Sequence, residues 1–329
     1  MSFPKRRLRR LRQNKTWRRA VREASLSAND FIQPLFVIEG ENIRSPVASM
    51  PGVFQLSIDN IVEEAKEINN LGIPAVILFG IPNKTQKDAQ GSAGFDPEGI
   101  VPRAIRAIKA AVPELLVWAD VCLCEYTDHG HCGILTKDGN IDNDSSLELL
   151  TRTAVTYAQA GADALAPSDM MDGRVGAIRN ALDVAGLSDT VIVSYAAKYA
   201  STYYGPFRDA VHSSLSDGDR RSYQMDPFNS DEALREVELD IDEGADIVMV
   251  KPAGPYMDVI FQVKEVFAMP TAAYQVSGEY AIIKAAAEQG LVDEGEIAIE
   301  SLLGLRRAGA DLIITYFAKA VAESLKEEA

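Results

Sequence analysis

Short apolar runs alternate with amphipathic segments along most of the chain. The runs contain few polar residues, as in Ile-Val-Met-Val at 247–250, which is typical of strands buried on both faces of a parallel sheet. Eight strands are predicted on this basis: Gln33–Ile38, Ala75–Gly80, Leu115–Val121, Ala162–Ala166, Val191–Ala196, Asp246–Lys251, Thr271–Val276 and Leu312–Tyr316.

The segments between these strands have the periodicity of helices. After the first strand, Ile61, Ala65 and Ile68 share one helical face, and Ser57 is placed to cap the helix start. Ser230 is the corresponding cap of a later helix, and it is followed by two acidic residues that the helix dipole favours. Helices and strands therefore alternate along the chain.

A Gly-Ala-Asp triplet recurs at 161–163, 244–246 and 309–311, each time where a helix gives way to a strand. Glycine ends helices readily in a left-handed conformation. Eight alternating units in one domain of this length predict a (β/α)8 TIM barrel in the α/β class. A doubly wound open sheet is the alternative, and the absence of a Gly-x-Gly-x-x-Gly turn after the first strand argues against it.

The charge is divided unevenly along the 329 residues, which carry a net charge of −15. The first 22 residues contain ten Lys and Arg and no acid, so the remaining residues carry 23 bases and 48 acids, a net −25. We predict an extended basic N-terminal arm over residues 1–30, followed by an acidic barrel over 31–329, and the charge alone would suit a nucleic-acid arm or a targeting segment. The acidic barrel disfavours binding to nucleic acid through phosphate neutralisation.

Several compartments and classes are disfavoured by composition. No apolar run reaches the roughly 18–20 residues of a transmembrane helix, and the basic start lacks the apolar region of a secretory signal. Three cysteines do not make a disulfide framework. We expect a cytoplasmic protein. The Arg-rich start would also suit an organellar transit peptide, although Ser2 and Thr16 are its only hydroxyl residues.

A TIM barrel carries its catalytic groups at the C-terminal ends of the strands. In this chain those positions hold reactive and polar side chains rather than structural fillers: Asp120, Cys122, Cys124, Ser168, Asp169, Lys198, Lys251, Ser277 and Tyr316.

Two lysines fall at the ends of neighbouring strands. Lys251 ends the sixth predicted strand, and Lys198 follows the fifth. A lysine at a barrel mouth can simply extend its amine to solvent. Two converging amines favour a different interpretation, because desolvation and a neighbouring cation leave a nucleophilic free amine. The pair predicts carbonyl chemistry through Schiff bases.

All three cysteines lie in one polar loop, with the spacing C-x-C-x₇-C. Isolated buried cysteines are usually apolar fillers, but three in eleven residues predict thiolate ligands. Three protein ligands with one open position are typical of a catalytic zinc. His129 and His131 lie in the same loop as further candidate ligands or as supporting donors.

The segment 199–224 is predicted to be a long functional loop. Its arginines suit a substrate carboxylate, which guanidinium binds in bidentate geometry. Its aromatic side chains favour a lid that closes over substrate. These residues are Arg208, Arg220, Arg221, Tyr203, Tyr204 and Phe207.

Over nearly its whole length the chain resembles the porphobilinogen synthase (5-aminolaevulinate dehydratase) family. The resemblance rests on many motifs in order: RLRR at 7–10, QPLFVIEG at 33–40, SMPG at 49–52, DVCLCEYTDHGHCG at 120–133, APSDMMDGRV at 166–175, SYAAK at 194–198, YGPFRDA at 204–210, GDR at 218–220, MVKPAG at 249–254, YQVSGEY at 274–280 and ITYFA at 314–318.

The resemblance implies a lyase that condenses two molecules of 5-aminolaevulinate to porphobilinogen, with loss of two waters, in tetrapyrrole (haem and chlorophyll) biosynthesis. Lys251 and Lys198 would form Schiff bases with the substrates that become the propionate and acetate halves, and Asp120 would serve as acid and base. The carboxylate-binding residues would be Ser277, Tyr316 and Tyr274 for the first substrate, and Arg208, Arg220 and Gln224 for the second.

The resemblance also implies metals and an assembly. Zinc would be held by Cys122, Cys124 and Cys132, although Asp128 stands where the cysteine form of the family usually has Ser or Thr. An allosteric Mg²⁺ would lie near Glu236. The implied assembly is a homo-octamer in which N-terminal arms embrace neighbouring barrels.

Two other functions compete with this interpretation. A class I Schiff-base aldolase also combines a TIM barrel with a lysine imine, but it needs neither a cysteine cluster nor two lysines. A metal-regulated nucleic-acid binder could use the basic arm, and the charge of the barrel argues against it.

Overall fold

A computed structural model describes residues 5–327 except 212, 214, 216 and 217. Its strands are β1 Phe31–Ile38, β2 Arg44–Pro46, β3 Phe54–Leu56, β4 Ala75–Ile81, β5 Leu116–Val121, β6 Ile134–Leu135, β7 Ile141–Asp142, β8 Ala164–Pro167, β9 Val191–Lys198, β10 Ile247–Lys251, β11 Thr271–Tyr274 and β12 Leu312–Ile314. Its α-helices are α1 Lys15–Ala20, α2 Ile58–Asn70, α3 Ile100–Ala111, α4 Asn143–Gln159, α5 Arg174–Val184, α6 Gly205–Ala210, α7 Asp231–Asp242, α8 Met257–Phe267, α9 Ser277–Glu288, α10 Glu294–Ala308 and α11 Ala318–Glu327.

Eight parallel strands close into a barrel in the order β1, β4, β5, β8, β9, β10, β11, β12, and β12 pairs back with β1. Helices connect successive barrel strands, so the predicted (β/α)8 TIM barrel is confirmed. Strands such as β4 and β9 are buried almost throughout, which explains why their sequences lack a polar alternation.

All eight predicted strands are present, with altered ends. β9 continues through Lys198, so this lysine ends its strand instead of following it. β11 and β12 are shorter than predicted. After β11, the backbone N–H of Val276 donates to the Glu279 carboxylate at the start of α9. After β12, the hydroxyl of Thr315 accepts the N–H of Phe317, which turns the chain and places Tyr316 beyond the strand.

Two short antiparallel hairpins were not predicted from the sequence. β2 pairs with β3, which extends the barrel sheet beside β1, and β6 pairs with β7 in the connection after the cysteine loop. These strands have two or three residues each and are partly exposed, so they lack the apolar run on which the strand prediction depended.

The predicted helix starts at Ser57 and Ser230 are correct in position, although neither hydroxyl makes a helix-capping hydrogen bond. The hydroxyl of Ser57 instead accepts the N–H of Ile43 at 2.8 Å, so it fixes the preceding loop.

The Gly-Ala-Asp triplets lock neighbouring barrel strands in register. The three glycines have positive φ angles of 103°, 106° and 119°. Each aspartate then exchanges two hydrogen bonds with one residue of the preceding barrel strand, accepting its N–H and donating to its carbonyl. The carboxylate distances are 2.8 Å for Asp163 with Val117, 2.8 Å for Asp246 with Ile192, and 2.9 Å for Asp311 with Thr271. These paired hydrogen bonds lie at the N-terminal ends of the strands.

A buried ion pair supports the strand that carries Lys198. Arg174 on α5 pairs with Asp240 on α7 at 3.0 Å, and it also donates to the Tyr195 carbonyl and to the Ser194 hydroxyl of β9 at 3.2 Å each. The Ser194 hydroxyl donates in turn to Asp240. Since a buried charge left without its partner is strongly destabilising, this network fixes β9 against both helices.

The N-terminal segment before β1 contains no buried residue between 5 and 30. It includes a 3₁₀ helix at Leu8–Arg12 and the short helix α1, whose Trp17 side chain is 52% exposed. In the described part of the chain, no helix combines the length and the apolar character needed to cross a bilayer.

Candidate active site

The amines of Lys198 and Lys251 meet at the C-terminal end of the barrel. The two residues are register partners at the ends of the adjacent strands β9 and β10, and both are buried. Lys198 donates to the backbone carbonyl of Ser168, which follows β8. The strand pairing therefore brings two ammonium groups into one pocket, where each disfavours the charge of the other.

Aromatic rings surround the amine of Lys251. Its Nζ lies 4.5 Å from the ring centroid of Tyr274, 4.9 Å from Tyr195, 5.2 Å from Phe207 and 5.3 Å from Tyr204. These π-faces attract a cation, but they replace little of the lost hydration. Burial, together with the positive charge of Lys198, lowers the pKa of Lys251 to about 7.

Asp120 supplies a carboxyl group beside the two amines. Its Oδ2 accepts the Ser168 hydroxyl at 3.0 Å, while Oδ1 has no hydrogen-bond partner among the described residues. Burial, assisted by the charge of Glu125, raises the pKa of Asp120 to about 7, against the lowering effect of both lysines. A carboxyl group with such a pKa can both donate and accept a proton near neutral pH.

The three cysteines form one buried cluster. The sulfur atoms of Cys122, Cys124 and Cys132 all lie within 4.8 Å of one another, and the first two are 3.3 Å apart. The neighbouring thiols of Cys122 and Cys124, with the nearby cation of Arg220, lower the pKa of Cys132 against the effect of burial. Three close sulfur donors with a stabilised thiolate fit a soft divalent metal such as Zn²⁺.

The other candidate ligands of this loop lie outside the cluster. Asp128 is exposed, so its carboxylate does not stand among the thiolates. His131 contacts the Tyr223 hydroxyl through Nδ1 at 3.3 Å, and His129 accepts the N–H of His131 at 3.1 Å. The two histidines therefore shape the loop around the cysteines.

Buried polar side chains from the segment 199–224 lie on one side of the pocket. Arg220 donates to the carbonyls of Gly130 and Ser213, but its Nε is buried and has no partner in the described part of the chain, and the same holds for the Nε of Arg208. Both side-chain amide atoms of Gln224 are also buried, with no partner among the residues that the structure describes. Since buried polar groups in folded proteins are nearly always hydrogen-bonded, these atoms are suited to a polar ligand.

Arg221 differs from its neighbours in the same segment. Its side chain is 79% exposed and lies 3.7 Å from the Asp219 carboxylate. It therefore does not join Arg208 and Arg220 beside the lysines.

Of the hydroxyl residues predicted to bind a carboxylate, Tyr274 lies beside Lys251, whereas Tyr316 lines a separate cavity with Gln33 and Tyr280. The hydroxyls of Tyr274 and Tyr316 are 3.1 Å apart. The Ser277 hydroxyl accepts the N–H of Phe207 at 3.0 Å and donates to the Tyr203 carbonyl at 3.3 Å. Ser277 is thus in contact with the segment that was predicted to be a lid.

The pocket itself is almost closed. Its volume is about 20 Å³, enough for about one water molecule. Its walls are formed by residues from six regions of the chain: Phe79, Asp120, Cys124, Glu125, Ser168, Lys198, Tyr204, Phe207, Arg208, Arg220 and Lys251. Of the segment 199–224 that was predicted to be a lid, residues 212, 214, 216 and 217 lie outside the described part of the chain. The described part contains a 3₁₀ turn and α6 and contributes four residues to the pocket walls.

Glu236 lies on α7 in a different cavity of about 450 Å³, which Asp172 and Glu232 also line. Burial raises the pKa of Glu236, although the nearby Arg174 opposes the effect. In the described residues, the cysteine cluster is the one group of three close metal-ligating side chains, so Glu236 does not belong to such a group.

Sequence reasoning missed Tyr195 as a pocket residue. Strict alternation along β9 places Tyr195 and Lys198 on opposite faces. An irregularity in the pairing of β9 with β10, between Val248 and Val250, inserts one extra residue in β9. The bulge turns both side chains toward the pocket, where the ring centroid lies 5.5 Å from the Lys198 amine.

Glu125 and Glu279 were also missed. Burial raises the pKa of both carboxyl groups, to about 7 for Glu279. Glu125 follows Cys124 directly, and that position beside a predicted metal ligand was an available signal. Glu279 lies in the first turn of a helix, where glutamate is common, so nothing in the sequence distinguished it.

The comparisons with known proteins agree with one another. A family model described as delta-aminolevulinic acid dehydratase matches residues 5–324. A protein of that name from Synechococcus elongatus is 60% identical over 98% of this chain and 99% of its own length. One from Bacillus subtilis is 54% identical over 97% of this chain and 98% of its own length.

A solved structure is similar over the whole barrel. The delta-aminolevulinic acid dehydratase of Toxoplasma gondii, in complex with the reaction product porphobilinogen, superimposes with a TM-score of 0.97. It is 46% identical in sequence, and the match covers 98% of this chain and 92% of the other.

Proposed function

The chain belongs to the delta-aminolevulinic acid dehydratase family, and we propose that it condenses two molecules of 5-aminolaevulinate to porphobilinogen through imines at Lys251 and Lys198. It is a 5-aminolaevulinate dehydratase, an enzyme of tetrapyrrole biosynthesis. The observation that carries the chemical proposal is the pair of buried amines at adjacent strand ends, facing one pocket. Family membership also decides against the class I aldolase and the nucleic-acid binder.

Each lysine would act first as a nucleophile. The unprotonated amine adds to the ketone carbon of 5-aminolaevulinate, a C–N bond forms, and the resulting carbinolamine loses water to give an imine. Lys251 would bind the molecule that becomes the propionate half, and Lys198 the molecule that becomes the acetate half. Asp120 lies beside both amines and would transfer protons as each water leaves, since its pKa is about 7.

The polar groups on the two sides of the pocket would bind the two substrate carboxylates. The ring of Tyr274 lies beside Lys251 and its hydroxyl is 3.1 Å from that of Tyr316, and these two residues with Ser277 would hold the first. Arg208, Arg220 and Gln224 would hold the second, and their buried unpaired atoms support this assignment. A keto acid with both a carbonyl and a carboxylate therefore has partners at each end.

Cys122, Cys124 and Cys132 would hold Zn²⁺, because thiolates suit this ion and Mg²⁺ prefers oxygen donors. When bound by these cysteines, the ion would supply Lewis-acid chemistry at the pocket wall. Glu236 would contribute to a separate allosteric Mg²⁺ site, which its position in a carboxylate-lined cavity supports.

The segment 199–224 would act as the lid. It contributes Tyr204, Phe207, Arg208 and Arg220 to the pocket walls, so its closure would complete the site as well as exclude water. The small volume of the pocket supports this role, because a substrate larger than one water molecule requires the pocket to open.

The direct test of the function is to incubate the purified protein with 5-aminolaevulinate and to assay the pyrrole product. Porphobilinogen should accumulate with one product for two substrates consumed. Metal-replete, folded protein that forms no pyrrole would overturn the proposal.

The pH dependence of imine formation should follow the amine of Lys251. Since the free amine reacts and the pKa of Lys251 is about 7, the rate should rise from pH 6 to pH 8 and then level off. Lys198→Met removes the neighbouring cation, so the midpoint should move upward by about one pH unit. Trapping with cyanoborohydride and substrate, followed by mass spectrometry of the Lys251 peptide, measures this rate. A midpoint that stays or falls in the variant would contradict the electrostatic explanation.

We further propose that residues 1–30 form the arm of a cytoplasmic homo-octamer. The first 22 residues carry ten bases and no acid, and no residue in 5–30 is buried, whereas residues 23–329 carry a net −25, so an arm would be attracted to a neighbouring barrel.

Deleting residues 1–22 should leave a folded barrel with a smaller assembly and lower activity. Light scattering measures the mass, and circular dichroism controls for folding. High salt should also lower the mass of the full-length assembly, because it screens the attraction between exposed charges on the arm and the barrel. An octamer unchanged by the deletion would refute the role of the arm.

A further inference from the structure

The carboxylate of Glu279 joins two loops at the mouth of the barrel. Its Oε1 accepts the N–H of Gly254 at 2.7 Å, in the loop after β10. Its Oε2 accepts the N–H of Val276 at 2.8 Å, in the loop after β11, and lies 3.4 Å from the N–H of Ala253. One carboxylate thus gathers three backbone donors from two separate strand ends.

These two loops carry two of the groups assigned to one substrate molecule. Lys251 is the last residue of β10, three residues before Gly254 in the loop that follows. The loop after β11 leads into α9, whose first residue is Ser277. The ketone carbon that Lys251 would attack and the carboxylate that Ser277 would hold are separated by a short chain, so the distance between the two side chains decides whether both can be reached at once.

Tight packing leaves the carboxylate little room to move. A Cβ atom on Gly254 would lie 2.6 Å from Oε1 of Glu279, so a side chain there would displace the carboxylate. On the other side of the helix start, a Cβ on Gly278 would collide with the backbone carbonyl of Tyr203. The first turn of α9 is therefore held between the loop after β10 and the lid segment.

We propose that Glu279 is a positioning residue that fixes Ser277 relative to Lys251 by tying the start of α9 to the loop after β10. The inference rests on the proposed function, because it assigns Lys251 and Ser277 to the same substrate molecule. Glu279 itself would touch neither substrate nor the reacting atoms.

A helix cap alone would be a simpler role. The bond from Val276 to Glu279 is the reciprocal half of a capping box and would stabilise α9 anywhere in a protein. The bond to Gly254 has no part in such a cap, because it reaches a different loop. A cap affects stability only, whereas a tie between the loops also affects substrate binding through Ser277.

The test compares Glu279→Gln, Ser277→Ala and the double variant. Gln keeps the size of the side chain but presents an NH₂ group to one of the two loops. We expect kcat/KM to fall about tenfold in each single variant, mainly through KM, as for the loss of one hydrogen bond to a charged group. In the Ser277→Ala background, Glu279→Gln should cost no more than about a further twofold, since coupled residues are not additive.

Asp293→Ala is the matched control. Asp293 caps α10 by accepting the N–H of Glu296 at 2.9 Å, and it lies outside the pocket. This variant should lower the melting temperature and leave KM unchanged. If Glu279→Gln does not fold, Gly254→Ala displaces the same carboxylate from the other loop and should give the same rise in KM.

The outcomes separate the alternatives. A lower melting temperature with wild-type KM in Glu279→Gln, as in Asp293→Ala, would reduce the residue to a helix cap and overturn the proposal. Full additivity with Ser277→Ala would also overturn it. A wild-type protein that makes no porphobilinogen would instead overturn the proposed function, and this inference with it.

Discussion

Lys251→Met should reduce porphobilinogen formation by a factor of about 10⁴ or more, the scale seen when an enzyme loses its nucleophile. Methionine keeps an unbranched, apolar chain of similar length among the aromatic rings, so the fold should survive. It provides no amine, so no imine can form at this position. A steady-state pyrrole assay measures the loss, and thermal melting checks the fold.

Covalent trapping identifies the reacting residue. Borohydride with 5-aminolaevulinate should convert the wild-type imine to a stable secondary amine on the peptide that contains Lys251. Lys66→Met is the control, because Lys66 is a surface residue paired with Glu63 at 2.7 Å. It should keep full activity and normal trapping. An unmodified Lys251 peptide in the wild type, or substantial activity in Lys251→Met, would contradict the imine assignment.

Cys132→Ala should lower zinc affinity about 100-fold or more and remove most of the activity. Replacing a residue that only hydrogen-bonds to a metal ligand already lowers metal affinity roughly 10- to 100-fold, and replacing a ligand itself should lower it at least as much. The cluster would retain two sulfur atoms, which hold Zn²⁺ less well than three. Metal analysis after dialysis against a chelator measures the content, and readdition of Zn²⁺ should restore the wild type but not the variant.

Two further variants separate the metal sites. Asp128→Ser changes an exposed side chain outside the sulfur cluster, so zinc content and activity should be retained. Glu236→Gln should retain zinc and lose any stimulation by Mg²⁺. Full zinc content in Cys132→Ala would exclude this cysteine as a ligand, and zinc loss in Asp128→Ser would show that the carboxylate takes part.

The barrel could be predicted because its strands have a strong physical signature. Burial on both faces requires continuous apolar runs, and the helix ends need glycine in a left-handed conformation, so both features are visible in the sequence. The lysines stood out because a charged side chain at the end of a buried strand is costly, and the cysteines because all three lie within eleven residues of one loop. The (β/α)8 arrangement was predicted from these patterns alone.

Features that depend on contacts between distant segments were not predicted. The β2–β3 hairpin is short and partly exposed, so its residues resemble a loop. Tyr195 faces the lysines only because of a bulge in β9, which alternation does not reveal. Glu279 resembles any acid in a first helical turn until the loop containing Gly254 is folded against it.

The three aspartates of the Gly-Ala-Asp triplets have a consequence for how this enzyme can evolve. They hold the barrel together at the N-terminal ends of the strands, whereas the lysines lie at the opposite ends. Folding and chemistry therefore depend on different residues at opposite poles of the same strands. A lineage that adapts to a hotter or colder habitat can therefore change the stability of the N-terminal strand ends by substitutions around these aspartates. Such changes leave the geometry of the two amines at the opposite strand ends unchanged.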